Sequence, residues 1–113
     1  MHELSVAMSL IEGVEEEAAR HEGRVTAVHL KLGPLSGVVR EALLSAFELA
    51  SAGTSLEGVR LLIEDMPIVA FCRHCQARQT IASMQWFCCP VCEKPVSDIV
   101  QGRELQLEAL EME

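Results

Sequence analysis

The sequence predicts an α+β fold: a small mixed three-stranded sheet with two helices, and a cysteine-rich segment inserted before the last strand. Three observations predict it. Two stretches repeat apolar residues at the three-and-four spacing of a helix face. Three others alternate apolar and polar residues as half-buried strands do. All five cysteines crowd into residues 72 to 92.

The first helix begins at Leu4 and carries Ala7, Met8, Ile11, Val14 and Ala18 on one face, with Glu12, Glu15, Glu16 and Arg20 opposite. Glu22-Gly23 is read as its end, glycine being the usual helix stop. Residues 24–32 form the next element, a strand with Thr26, Val28, Leu30 and Leu32 on the buried side. Its His29 and Lys31 face solvent on this reading. Gly33-Pro34 breaks that strand. A second amphipathic helix runs from Val38 to Ala50 through Val39, Leu43, Ala46, Phe47 and Ala50. Past the turn-rich Ser51 to Ser55, a second strand alternates Val59, Leu61 and Ile63 with Arg60 and Glu64, and Pro67 ends it. After the cysteines, Gln101-Gly102 opens a third strand with Leu105, Leu107 and Ala109 on one side and Glu104, Gln106 and Glu108 on the other.

Composition excludes several function classes. A chain of 113 residues has room for one modest core, burying about 65% of the surface its unfolded form exposes, or for that core plus a very small satellite. Half the residues are hydrophobic and 23% are charged, so global disorder is excluded. The net charge is −8 and no basic stripe exists, which makes nucleic acid and anionic membrane poor partners. Apolar stretches are short and broken by charge, and the N-terminus lacks the pattern of a secretory signal. A cytoplasmic location with reduced thiols is the expectation. Leu10 and Leu44 are read as exposed apolar residues that leave room for a partner face or a weak homodimer.

In a reducing compartment, Cys72-x-x-Cys75 and Cys89-x-x-Cys92 read as paired metal-binding knuckles. Four thiolates suit a closed, tetrahedral, structural Zn(II) site and leave no position for a catalytic water. Cys88 is then a spare thiol and His74 a solvent-facing turn residue. The reading divides the chain into an α/β domain of residues 1–66 and 101–113 and a zinc domain of residues 67–100. An insert of that size lies below the length that folds on its own core. Zinc supplies the deficit, its apparent binding free energy in small zinc peptides being about 10–16 kcal/mol.

Met1-His2-Glu3 offers a second metal chemistry. The Met1 amine and the His2 peptide nitrogen close a five-membered chelate ring, and the His2 imidazole closes a six-membered ring with the same nitrogen. Three coplanar nitrogens suit Ni(II) or Cu(II) and not tetrahedral zinc, and Glu3 or another group completes the square. The first helical N–H groups have no intrahelical partner, so deprotonating the His2 amide breaks no helix bond. Such a site fills and empties at little cost to the fold. On the residues alone, an ordinary solvated helix start remains the alternative.

Met1-His2-Glu3-Leu4-Ser5, the two CxxC knuckles and Gln101-Gly102 before the final strand together resemble, in order and over essentially the whole chain, the HypA/HybF family of hydrogenase-maturation nickel chaperones. The resemblance implies a nickel-binding α/β domain with an inserted zinc-ribbon domain. It implies transient Ni(II) at Met1 and His2 with Glu3 in support, and structural Zn(II) at Cys72, Cys75, Cys89 and Cys92. The implied partners are a HypB-type GTPase or ATPase and the precursor of a [NiFe]-hydrogenase large subunit. The implied role is metal transfer and not catalysis; no nucleophile, paired carboxylates or phosphate cradle competes as an active site. Coupling of the two metals through histidines, which some members use, lacks its residues here beyond His74. The alternative reading is a zinc-ribbon interaction or regulatory module without nickel transfer.

Overall fold

The computed structural model describes residues 3–113; Met1 and His2, and with them most of the expected nickel site, lie outside the described residues. The described elements are α1 (Glu3–Ala18), β1 (Val25–Leu32), a 3-10 turn (Pro34–Ser36), α2 (Arg40–Ser51), β2 (Arg60–Asp65), β3 (Ile68–Cys72), β4 (Ala77–Ile81), β5 (Asp98–Gln101) and β6 (Leu105–Met112). They build two three-stranded sheets, ordered β2-β1-β6 and β4-β3-β5.

The first sheet is mixed, as the sequence predicts. β1 and β2 run parallel from Ala27 beside Arg60 to Leu32 beside Asp65. Parallel neighbours need a long crossover, and α2 provides it. β6 returns antiparallel along the other side of β1. Both helices cover one face, and the core between them and the sheet is formed by Ala7, Ile11, Val14, Val28, Leu30, Leu32, Leu43, Phe47 and Leu56, among others. The second sheet is wholly antiparallel. Its own small core holds Ile68, Ala70, Cys72, Ile81, Cys89 and Val96. The radius of gyration is 17.1 Å, against about 13 Å for a compact domain of this length. Two cores set end to end account for the difference.

Several sequence expectations are corrected in detail. Leu4 and Met8 are exposed; the buried stripe of α1 runs through Ala7, Ile11 and Val14. Leu10 and Leu44 are half-buried, and the large apolar residue that α2 exposes is Leu49. α1 ends at Ala18, before Glu22-Gly23. Gly23 serves another purpose: it turns with φ +101, and a Cβ there would lie 2.2 Å from the Glu113 carbonyl oxygen.

Two bulges upset the simple alternation. The pairing shifts once between Val25 and Ala27 on β1 and once between Leu107 and Ala109 on β6, so Thr26 and Glu108 are the extra residues. Each bulge reverses the facing of the residues beyond it, and the second shift undoes the first. Thr26 therefore leaves the buried side, where the sequence placed it, and its hydroxyl donates to the Glu111 carbonyl at 3.1 Å. On β6 the residues packed on the core become Leu105, Leu110 and Met112, while Leu107 and Ala109 are exposed.

The two sheets meet at a pair of crossing backbones. The Gly33 N–H donates to the Glu104 carbonyl and the Leu35 N–H to the Gly102 carbonyl, each at 2.8 Å. A Cβ on Gly33 would stand 2.1 Å from the Gly102 oxygen, so only glycine permits the crossing. The Gln101 side-chain amide donates to the Pro67 carbonyl at 2.9 Å, tying the second chain passage to the first.

Candidate metal centres

Each knuckle is a tight turn at the end of the second sheet. Cys72 closes β3 and Cys75 lies in the turn before β4. The second pair sits at the tip of a hairpin closed by Val96 N–H to Phe87 O and Cys89 N–H to Lys94 O, both at 2.9 Å. In each turn the residue after the second cysteine is left-handed: Gln76 with φ 56 and Glu93 with φ 64. These positions usually call for glycine or asparagine. Sequence reasoning passed over them, although the two equivalent positions could have been found by laying one CxxC on the other.

The turns bring Cys72, Cys75, Cys89 and Cys92 together, with all four sulfurs within 4.8 Å of one another. Cys72 Sγ lies 3.6 Å from Cys92 Sγ, and Cys75 Sγ lies 3.8 Å from Cys89 Sγ. A tetrahedron of sulfurs around zinc, with Zn–S of about 2.3 Å, has edges of about 3.8 Å. The cluster therefore has the dimensions of a zinc site before any ion is considered. Backbone N–H groups of Cys75 and Val91 approach the sulfurs of Cys72 and Cys89, each at 3.4 Å.

Proton affinity is divided unevenly within the cluster. The Cys92 backbone N–H above all draws the Cys89 thiol down to about 7. Burial, followed by hydrogen bonding with the neighbouring cysteines, pushes Cys75 up to about 12. Four adjacent thiols cannot all ionise unaided, because each thiolate opposes the next. A divalent soft cation removes that conflict, and zinc fits the donors.

Cys88 stands outside the cluster, half-buried and bridged through its backbone to Pro95. His74 is exposed, and its Nδ1 accepts from the Lys94 ammonium at 3.3 Å, which links the two knuckle turns. A clamp the sequence did not suggest joins Arg73 to Asp98: Nε to Oδ2 at 2.7 Å and a second guanidinium nitrogen to Oδ1 at 3.1 Å. It fastens the first knuckle to β5 in the two-pronged geometry that arginine and carboxylate favour.

At the other end of the molecule, Glu3 opens α1, where a carboxylate complements the helix dipole. Its Oε2 accepts the Val39 N–H at 3.2 Å, and Val39 is the residue that precedes the first turn of α2. Glu3 thus pins the beginnings of both helices together. His29, expected on the solvent side, is there, 2.6 Å from the Glu111 carboxylate.

A helix-covered mixed sheet joined to a ribbon that ends in four converging thiols defines a small metal-handling protein. Its relatives give that class a narrower content. The chain belongs to the HypA family, described as hydrogenase/urease nickel incorporation metallochaperones, whose family model it matches over residues 1–112. It is similar to the hydrogenase maturation factor HypA of Roseiflexus sp. (strain RS-1), with 52% identity covering 100% of this chain and 93% of the relative. It is 46% identical to the protein of the same name from Chloroflexus aurantiacus (strain ATCC 29366 / DSM 635 / J-10-fl), covering 98% of each. The solution structure of the Ni metallochaperone HypA from Helicobacter pylori superposes with a TM-score of 0.67 at 30% identity, covering 99% of this chain and 97% of that one. The function is that of the family, a nickel metallochaperone for hydrogenase maturation and not an enzyme. Among the described residues, no helix is long and apolar enough to cross a membrane.

Proposed function

We propose that the chain carries Ni(II) as cargo on the Met1 amine, the His2 amide nitrogen and the His2 imidazole, with Glu3 in support, and surrenders it by ligand exchange to a recipient. Membership of a nickel-incorporation family is the observation that carries this reading. The tie from Glu3 to the start of α2 supports it, because it anchors the acidic residue of the motif at the start of α1. A planar nitrogen site with open axial positions suits release, since an incoming ligand can bind before the outgoing one leaves.

Cys72, Cys75, Cys89 and Cys92 hold structural zinc in this proposal. Residues 67–100 form the zinc-ribbon domain that the metal folds, and residues 1–66 with 101–113 form the nickel domain. The existence of two separate cores supports the division. The family's role in hydrogenase maturation implies hydrogenase-related partners. The specific partners proposed are a HypB-type GTPase or ATPase and, as the recipient of nickel, the precursor of a [NiFe]-hydrogenase large subunit, meeting in the cytoplasm.

The test is His2→Ala. Specific nickel binding disappears, while far-UV circular dichroism and zinc content stay at wild-type values. A His2→Ala protein that still binds nickel with wild-type affinity defeats the assignment.

A further inference from the structure

β6 is an edge strand: the first sheet ends with it, so among the described residues one side of its backbone has no strand partner. An open edge of eight residues is a template for another strand, and proteins usually cover or blunt such edges. Here a groove runs beside it. Ser5, Ser9 and Gly13 lie one helical turn apart on α1 and face Leu105 and Leu107 across a cavity of about 500 Å³. Beyond Leu107 the groove continues as a cavity of about 480 Å³ between the end of α1, at Glu17 and His21, and the rest of β6. Small side chains on the helix leave the space open; a Cβ on Gly13 would touch nothing within 4 Å. The lengths match as well, α1 spanning about 24 Å and β6 about 26 Å.

Charge says what fits. Glu12 and Glu16 are exposed on α1 on the same side as Ser5 and Ser9, and Glu108 lines the groove on β6. β6 itself contains no basic residue. Lys31 meets Glu108 from the neighbouring strand, and Arg20 and His21 are tied to Glu17 at the far end. The carboxylates left exposed along the groove are therefore those of Glu12 and Glu16 on the helix rim, in a chain of net charge −8. A second copy of this chain paired through its own β6 would set carboxylates against carboxylates, which is unfavourable across a strand pair.

We propose that this groove receives an extended segment of a partner protein, about eight residues long, that adds to β6 as a fourth strand. Alternate apolar side chains of the segment enter the groove beside Leu105 and Leu107, and its lysine or arginine side chains meet Glu12 and Glu16 on the helix rim. This inference is independent of either metal site.

The test uses the zinc-loaded full chain and a synthetic peptide alternating valine with lysine, with a glutamate-for-lysine peptide as control. Amide chemical shifts should move along β6 and along α1 from Ser5 to Gly13 on saturable binding of the basic peptide, and not with the acidic one. Gly13→Leu fills the groove and removes a helix-weakening glycine, so thermal stability holds or rises while affinity for the basic peptide falls about tenfold or more. Absence of saturable binding, shifts confined to the uncovered sheet face, or equal binding by Gly13→Leu would overturn the proposal and leave the carboxylates as guards of the edge. Self-association that Gly13→Leu abolishes, without peptide binding, would assign the groove to a second copy and overturn it equally.

Discussion

Replacing Cys72 by serine tests how the ribbon is held. Cys72 is 2% exposed, and its sulfur lies 3.6 Å from that of Cys92. Serine keeps the volume but offers a hydroxyl that does not ionise near neutral pH, so zinc loses one anionic donor. If four equal donors share an apparent binding free energy of about 10–16 kcal/mol, one is worth about 2.5–4 kcal/mol, or about 10²–10³ in zinc affinity. The ribbon core cannot absorb that loss. Its buried aliphatics are Ile68, Ile81 and Val96, beside Ala70, Cys72 and Cys89, and each large side chain contributes about 1.5–3 kcal/mol. Chelator competition should therefore show zinc affinity lowered by about 10²–10³. Amide exchange should accelerate in β3, β4 and β5 while β1, α1 and α2 keep their protection, because they rest on a separate core. Wild-type zinc affinity with unchanged exchange in β3 would refute the argument about the metal. Lost protection in β1 as well would refute the independence of the two cores.

The remaining predictions touch the junction, the first core and the thiols. Gly33→Ala places a methyl against the Gly102 carbonyl and should lower stability by about 3 kcal/mol in chemical denaturation; an unchanged midpoint would contradict the close crossing. Leu43→Ala empties a fully buried position in the first core and should cost about 2–5 kcal/mol, with zinc affinity untouched when measured by the same chelator competition. Acid should act through Cys89, held near 7 against an ordinary value of 9.0. Its thiolate favours the assembled cluster fully above 9.0, and that contribution fades as pH falls through about 7. Cys75, raised to about 12, works in the opposite sense: it favours the metal-free cluster in its protonated form and gives up a proton when zinc enters at neutral pH. Calorimetry in buffers of different ionisation enthalpy should detect that release; zinc uptake without protons released near neutral pH would contradict it.

Much of this architecture is legible in the residues, and the misses share a physical reason. The three strands of the first sheet and both helices can be read from periodicity because each buries one face on a sizeable core. β3, β4 and β5 escape that signal. Ile68–Cys72 is a continuous apolar run, and β4 and β5 are short pieces whose register is set by the knuckle turns and not by alternation. Thr26 and Glu108 show the other limit: a bulge reverses a strand's facing without any mark in its apolar pattern. The four-thiol cluster is legible from spacing alone, since chain geometry at CxxC leaves little choice. The Arg73–Asp98 clamp and the Glu3–Val39 tie join residues distant in sequence, and only the fold brings them together.

Whether the first residues carry nickel is decided by titrating the zinc-loaded, untagged chain with Ni(II) beside a variant carrying one extra residue before Met1. The visible absorption of square-planar nickel is followed in both. The chain beginning at Met1 should saturate at a single nickel with that absorption, and the extended variant, in which the Met1 amine has become a peptide nitrogen, should lose it. Equal nickel uptake with equal spectra by both chains would contradict a nickel site built on the Met1 amine.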